Sequence, residues 1–228
     1  CIRDRANIMR ATHLDEAIFA SLCRESDMYH VLQRCAILVS RMALTMPPPM
    51  FHDMVRATAS WPDLCRRLIS TSATLSLARS RKLVALGLAH MLRHASAQDK
   101  GLLSAVPDMI GMWTEVVGEV VEDEAGSADR YERELSPTRA LEIGEDGIPF
   151  LDEFGLIEAA PTPSSARTDA VRSRDPSFNV PLRAYVADTL NAVLQNGSYK
   201  TQLQSLLATI DPLVLDTLQR GLSERPVA

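Results

Sequence analysis

Apolar residues in the first half of the chain recur at intervals of three and four, the period that places them on one face of an α-helix. Thr12, with Asp15 three residues later, reads as a helix start, and Leu14, Ile18, Phe19 and Leu22 then form one face. A second helix is expected from about Asp27 to Leu44, with Met28, Val31, Leu32, Cys35, Leu38, Val39 and Met42 on its main face. Its other side carries Ala36, Ile37 and Leu44, so it is apolar nearly all round and is expected to be packed on several sides. Met46-Pro47-Pro48-Pro49 ends it, because proline has no N–H to donate and clashes with the preceding turn. Phe51 to Ala59 and Pro62 to Ile69 read as a shorter pair of helices. Ser80 is the expected cap of a strong helix, Arg81 to His94. Gly87 inside it weakens that helix by roughly 1 kcal/mol against Ala, which a close approach of a neighbouring helix would explain. After a loop, Ser96 to Lys100, the stripe Val106, Met109, Ile110, Trp113, Val116, Val117, Val120 and Val121 predicts a helix from Pro107 to about Val121, packed on Arg81–His94.

Residues 12–121 thus parse as about three antiparallel helix pairs of roughly 35–50 residues, with no β-type alternation anywhere, a rhythm that HEAT or armadillo arrays share with compact bundles. The expected fold is all-α: an α-solenoid of HEAT/armadillo-like helix pairs with a C-terminal capping set. Periodicity fails from Glu122 to Pro176, a stretch rich in acids, Gly, Pro, Ser and Thr that reads as irregular and mobile. One island, Ile148 to Ile157, holds Phe150 and Phe154 among aliphatics and is expected to fold back on the array, the alternatives being a docking segment for a partner or no role at all. From Val171 to Leu222 three short amphipathic helices follow closely. Asn196-Gly197 ends the first, Ser198 caps the second, and Asp211-Pro212 opens the third. Such helices cannot bury their apolar faces alone and must close a larger array. The chain is therefore divided into repeats (1–121), an acidic linker (122–176) and capping helices (177–228).

Composition narrows the class. Apolar content is 46% with only 5% aromatic, which suits a helical core of Leu, Val, Ala and Met. Residues 122–176 hold 6 basic and 14 acidic residues, whereas residues 1–121 hold 14 and 11. Phosphate binding needs clustered Lys and Arg, so nucleic acid is not an expected partner. The acidic block reads first as a plainly solvated linker and, as the alternative, as a negative field toward basic surfaces. No apolar run reaches the roughly 20 residues of a membrane span. The four cysteines, Cys1, Cys23, Cys35 and Cys65, form no C-x-x-C pair and read as reduced, buried, small apolar residues, the usage of a reducing compartment. The start at Cys1 in mid-pattern suggests a piece of a longer protein.

No common catalytic pattern is present, and no catalytic, cofactor-binding or metal-ligating residue is assigned. His90 and His94 lie four apart on one helix, but the zinc-protease pattern is broken by Met91-Leu92 and no third ligand is near, so they read as a solvated pair. Asp123-Glu124 and Asp152-Glu153 are paired carboxylates on a segment that would neither hold nor desolvate them. Gly144 to Gly147 lacks the spacing of a phosphate-binding loop.

The order and spacing of the tail resemble the C-terminal end of importin-β-superfamily karyopherins, most closely the importin-eleven branch. The resemblance is carried by Asp175-Pro176, the helix Leu182 to Leu194 with Tyr185-Val186, the Gln204-Ser205-Leu206-Leu207 helix, and a last helix opened by Ile210-Asp211 and holding Leu218-Gln219. It continues upstream in Arg81 to Leu88 and the Trp113 helix, and covers roughly Ser80 to Leu222. Pro181 stands where the family usually has a polar helix-opening residue. The resemblance implies a superhelical transport receptor that carries protein cargo inward through the nuclear pore and shuttles between nucleus and cytoplasm. It further implies that Ran GTPase in its GTP state binds mainly N-terminal repeats, that phenylalanine–glycine nucleoporins bind the outer surface and that cargo binds the inner one. It assigns no individual contact residue here. A cytosolic helical-repeat scaffold without a transport role would share the rhythm of the first 121 residues but not the tail. An all-α enzyme is the third and least supported reading.

Overall fold

The computed structural model describes residues 14–23, 29–96, 98–99, 101–126, 175–195 and 197–223. Among these, all regular structure is helical. Helix α1 spans Leu14–Cys23, α2 Tyr29–Thr45, α3 Pro48–Thr58, α4 Trp61–Ser72 and α5 Ala78–Arg93. A 3₁₀ turn, Leu103–Ala105, leads into α6, Val106–Gly126. The tail comprises the single turn α7, Pro176–Asn179, then α8, Leu182–Gln195, α9, Gly197–Leu207, and α10, Pro212–Ser223. The breaks follow local chemistry. Pro47 ends α2 and Pro48 opens α3 without needing an N–H. The Ser60 hydroxyl caps α4 by accepting from the Asp63 backbone N–H at 3.3 Å. The Asp211 carboxylate accepts from the Leu213 N–H at 2.8 Å, with Pro212 at the first helical position of α10.

The helices stack in sequence. Helix α1 packs on α2, α3 and α4; α2 packs on α5; α5 packs on α6; α8 lies on α5; and α10 lies on α6 and α8. The architecture is an α-solenoid of helical repeats closed by its tail, with α5 at its centre. Leu83, Val84, Ala85, Leu86, Leu88, Ala89, Met91 and Leu92 are all buried, because α5 is covered by α2, α4, α6, α7 and α8. On its one partly exposed edge Arg81 pairs with Glu115 at 3.0 Å and with Glu119, both on α6, which fixes the alignment of the two helices.

Two sequence expectations shift. The buried face of α2 is Leu32, Ala36, Val39, Ser40, Met42 and Ala43, whereas Leu38 is 41% exposed and Cys35 half-buried. The small residues of α2 face inward because α5 approaches there. A Cβ on Gly87 would lie 2.9 Å from the Ser40 Cβ and 3.0 Å from its Cα, so only glycine fits. The buried Ser40 hydroxyl donates to the Ala36 carbonyl at 2.8 Å and leaves no orphan. The second shift is at α5, which begins at Ala78, not after Ser80. The Ser80 N–H already donates to the Leu77 carbonyl in the first turn, and Leu77 supplies no side-chain cap.

Helix α6 buries Met109, Ile110, Trp113, Val116, Val117 and Val120, and the Trp113 indole N–H donates to the Ala85 carbonyl of α5 at 3.2 Å. Cys23, Cys35 and Cys65 are free thiols, and burial pushes Cys65 up to about 12, so it is no nucleophile at neutral pH. Cys1, Thr12, the linker residues 127–174 and the Ile148–Ile157 island lie outside the described residues.

Candidate partner-binding surface

Residues 175–223 return to the array through two polar anchors and a band of aliphatic side chains. At the first anchor, Asp175 caps α7. Its Oδ1 accepts from the Ser177 backbone N–H at 3.0 Å and from the Ser177 hydroxyl at 2.7 Å. Its Oδ2 accepts from Arg41 of α2 and Arg79 of α5, both at 2.8 Å, while the Arg79 Nε–H donates to the Ser177 hydroxyl at 2.8 Å. One carboxylate thus ties α2, α5 and α7 together. Burial by itself would raise the Asp175 carboxyl pKa. The Ser177 hydrogen bonds and the two guanidiniums outweigh it and hold the group below its ordinary value.

The second anchor joins α5 to α8. The Tyr185 hydroxyl lies 2.5 Å from His90 Nδ1, the two rings are stacked, and the Arg93 guanidinium sits 5.5 Å from the Tyr185 ring centre. His90 and His94 are neighbours with ring centres 4.5 Å apart. They are not a plain solvated pair, as their spacing suggested: α8 covers one side of α5 and makes His90 a docking contact. Desolvation, reinforced by the nearby His94, His52 and Arg93, lowers the His90 pKa to about 4. Between about pH 6.5 and 4 the unfolded chain therefore takes up the proton first, so this histidine lowers stability as the pH falls through that window and has no such effect above it. The Asp175 contribution is lost at lower pH, as the pH falls from the ordinary carboxylate range through its depressed pKa. An acid titration of α8 protection by hydrogen exchange is expected to show loss beginning near pH 6, and His90→Gln should remove that first step. A flat profile down to pH 4 would contradict the anchor.

Leu182, Val186, Val193, Leu203 and Leu218 are buried beneath the tail. Helix α10 crosses α6 closely at Gly221, where a Cβ would meet Val117 Cγ1 at 2.9 Å. The tail helices do not close completely on each other. Between α8, α9 and α10 lies a cleft of about 580 Å³, floored by Ile110 and walled by Leu190, Leu194, Leu207, Leu215 and Leu222. Asn191, Gln219 and Ser223 stand at its polar side. Leu213, 66% exposed, is on α10 as well. An apolar centre with a polar margin is shared by protein-contact patches and small-molecule clefts.

On the other flank, Asp99 is fully buried in the loop between α5 and α6. It accepts from His52 Nδ1 at 2.9 Å, from the Trp61 indole N–H at 3.1 Å, and from the Ser96 backbone N–H and hydroxyl at 2.8 Å each. Arg56 lies 3.6 Å from it. Burial would raise the Asp99 pKa, but the His52 and Ser96 hydrogen bonds hold it below its ordinary value. Asp99→Asn should cost about 1–3 kcal/mol, because the amide replaces an acceptor by a donor opposite donors. A urea midpoint unchanged from the native chain would contradict this staple.

A comparison with family models matches residues 5–223 to the family described as importin-11-like, TPR repeats. That match spans nearly the whole chain. The chain belongs to this importin-11-like family. Comparisons with curated proteins and with solved structures each returned no match. The family description names the helix pairs TPR repeats, another antiparallel two-helix unit stacked into a solenoid.

The family indicates a transport or scaffold protein rather than an enzyme. The His52–Asp99 pair has the shape of a base and its orienting acid, yet both side chains are sealed off, 4% and 0% exposed, and Asp99 is shared with Trp61 and Ser96. Among the described residues there is no group of three metal-ligating side chains, and no helix is long and apolar enough to cross a membrane. The carboxylate pair Asp152-Glu153 and the Gly144–Gly147 stretch lie outside the described residues, as do the side chains of Asp123 and Glu124. In the sequence Asp175-Pro176 stood out only as an element of the tail's resemblance, at the end of the stretch where periodicity fails. Its arginine partners stand 134 and 96 residues away, a distance that no local pattern bridges.

Proposed function

We propose that this chain acts as the C-terminal segment of a nuclear transport receptor, importing protein cargo through the nuclear pore under the control of Ran in its GTP state. The observation that carries this reading is the importin-11-like match over residues 5–223. Two features support it. A solenoid whose neighbours touch mainly neighbours can sum small changes per repeat into a large change of pitch, so that Ran and cargo bias one array as competing ligands. The apolar cleft of the tail, with its polar margin, offers a surface on which an apolar segment of a protein partner can pack. Phenylalanine–glycine nucleoporins on the outer surface and shuttling between nucleus and cytoplasm complete the reading. The acidic stretch 122–176 favours lysine- and arginine-rich cargo electrostatically.

The test is a pull-down with GTP-loaded and GDP-loaded Ran at two salt concentrations, using a longer receptor that carries this sequence and, separately, the 228-residue chain. The receptor is expected to bind the GTP form and release cargo. The chain alone is expected to bind Ran weakly or not at all while retaining basic cargo at low salt. Absence of Ran binding by the receptor would leave a cytosolic helical-repeat scaffold. Nanomolar binding by the chain alone would show that the GTPase contacts lie in this half.

A further inference from the structure

We propose that Ser177 is a phosphorylation site for a basophilic serine/threonine kinase, and that its phosphate releases the turn that fastens the tail to the array. The inference does not depend on the transport reading. It begins with the sequence. Arg172 and Arg174 stand five and three residues before Ser177, and Phe178 follows it. Ser177 is the only serine or threonine in the chain with arginine at both of those positions. Kinases of this class bind an extended substrate and read such arginines by charge-assisted pairing with their own carboxylates, with an apolar residue after the acceptor adding to the fit.

The structure gives that serine a consequence. Ser177 is 1% exposed, and its hydroxyl is the central hydrogen-bonding group of the first anchor: it donates to Asp175 and accepts from Arg79. Phosphorylation removes that donated hydrogen and sets a group of about −2 charge within contact of the Asp175 carboxylate. Arg41 and Arg79 already face Asp175, and no room exists for three phosphate oxygens around a side chain this buried. Repulsion between the two anions and the lack of space disfavour the docked turn.

Access comes from local opening. Helix α7 has four residues, is bounded by Pro176 and Pro181, and is held to α2 and α5 through Arg41 and Arg79, so it can detach without unfolding α8. In the opened state the Ser177 oxygen forms a bond to the γ-phosphorus of a nucleoside triphosphate held by the kinase. The bond from that phosphorus to its bridging oxygen breaks, the nucleoside diphosphate leaves, and the hydroxyl proton passes to the base of the kinase.

The experiment incubates the 228-residue chain with ATP and a purified kinase that selects arginine at these two positions. Site occupancy is followed by mass spectrometry, and protection of residues 175–180 and, separately, of α8 by hydrogen exchange. A peptide covering residues 168–182 serves as the freely accessible reference. Ser177 is expected to be modified in both, more slowly in the chain. Arg79→Ala, which loosens the anchor, should raise the rate in the chain by about fivefold or more. Arg172→Ala with Arg174→Ala, which leaves the anchor partners in place, should abolish modification. The modified chain should lose protection over 175–180 while α4, α6 and α8 keep theirs. An unmodified peptide would overturn the recognition, and an unmodified chain, native and Arg79→Ala alike, beside a modified peptide would overturn the opening. A modified chain with unchanged protection would overturn the release.

Discussion

Trp113→Ala is expected to lower stability by about 3–5 kcal/mol, the cost of emptying a large, closed core site. Trp113 is fully buried in α6, and its indole N–H reaches across to the Ala85 carbonyl of α5. Truncation therefore removes apolar contacts, leaves a void between two helices that are aligned by Arg81 with Glu115 and Glu119, and deletes one hydrogen bond. The site cannot collapse easily, because α5 is braced on its other sides by α2 and α8. Chemical denaturation with circular dichroism measures the effect as a fall in midpoint with the slope retained. A midpoint unchanged from the native chain would mean that α6 does not pack on α5 as described. Trp113→Phe, which keeps most of the volume but not the donor, should lose much less.

The success of the Trp113 expectation shows what periodicity conveys. In α6 the stripe is made of large residues at three and four, so its direction is unambiguous, and the helix buries that stripe. In α2 the same count gave Leu32, Val39 and Met42 of the inward face but not Ala36, Ser40 and Ala43, because the chain is apolar on several sides and the deciding contact is between Ser40 and Gly87. Close approach selects small residues, and small residues carry little weight in a hydrophobic count. Gly87 itself was the signal: a glycine in the middle of a strong helix implied that something lies against it. The Asp-Pro start of α10 was likewise legible because a cap acts within three residues.

The polar anchors were legible only in halves. His90 carried the appearance of a surface histidine until Tyr185, 95 residues later, was brought against it. Asp99 reads in sequence as one acid in a loop, and only the fold supplies His52 and Trp61 from α3 and α4. These contacts join segments whose sequence separation exceeds any motif, and the partners are common residue types with nothing local to mark them. The family, by contrast, was legible from element order in the tail, and the match over residues 5–223 agrees with it. The contact residues for partners were not, since a cleft formed by α6, α8, α9 and α10 draws its lining from leucines that in sequence look like core.

The tail packs on α5 and α6 as an integral end of the array rather than an appendage. Deleting everything after Arg174 removes Leu182, Val186, Val193, Leu203 and Leu218 from the core and exposes the surfaces of α5 and α6 that they cover. At roughly 1.5–3 kcal/mol for each buried side chain, the loss is on the order of 10 kcal/mol as an upper bound, comparable with the whole stability of an ordinary domain. The most direct measurement is therefore the solution state of the truncated body by size-exclusion chromatography with light scattering, together with its thermal midpoint. The expected result is self-association with a lowered midpoint, relieved in part when the separate 175–223 peptide is added. A truncated body that stays monomeric with the midpoint of the intact chain would contradict the closing role of the tail.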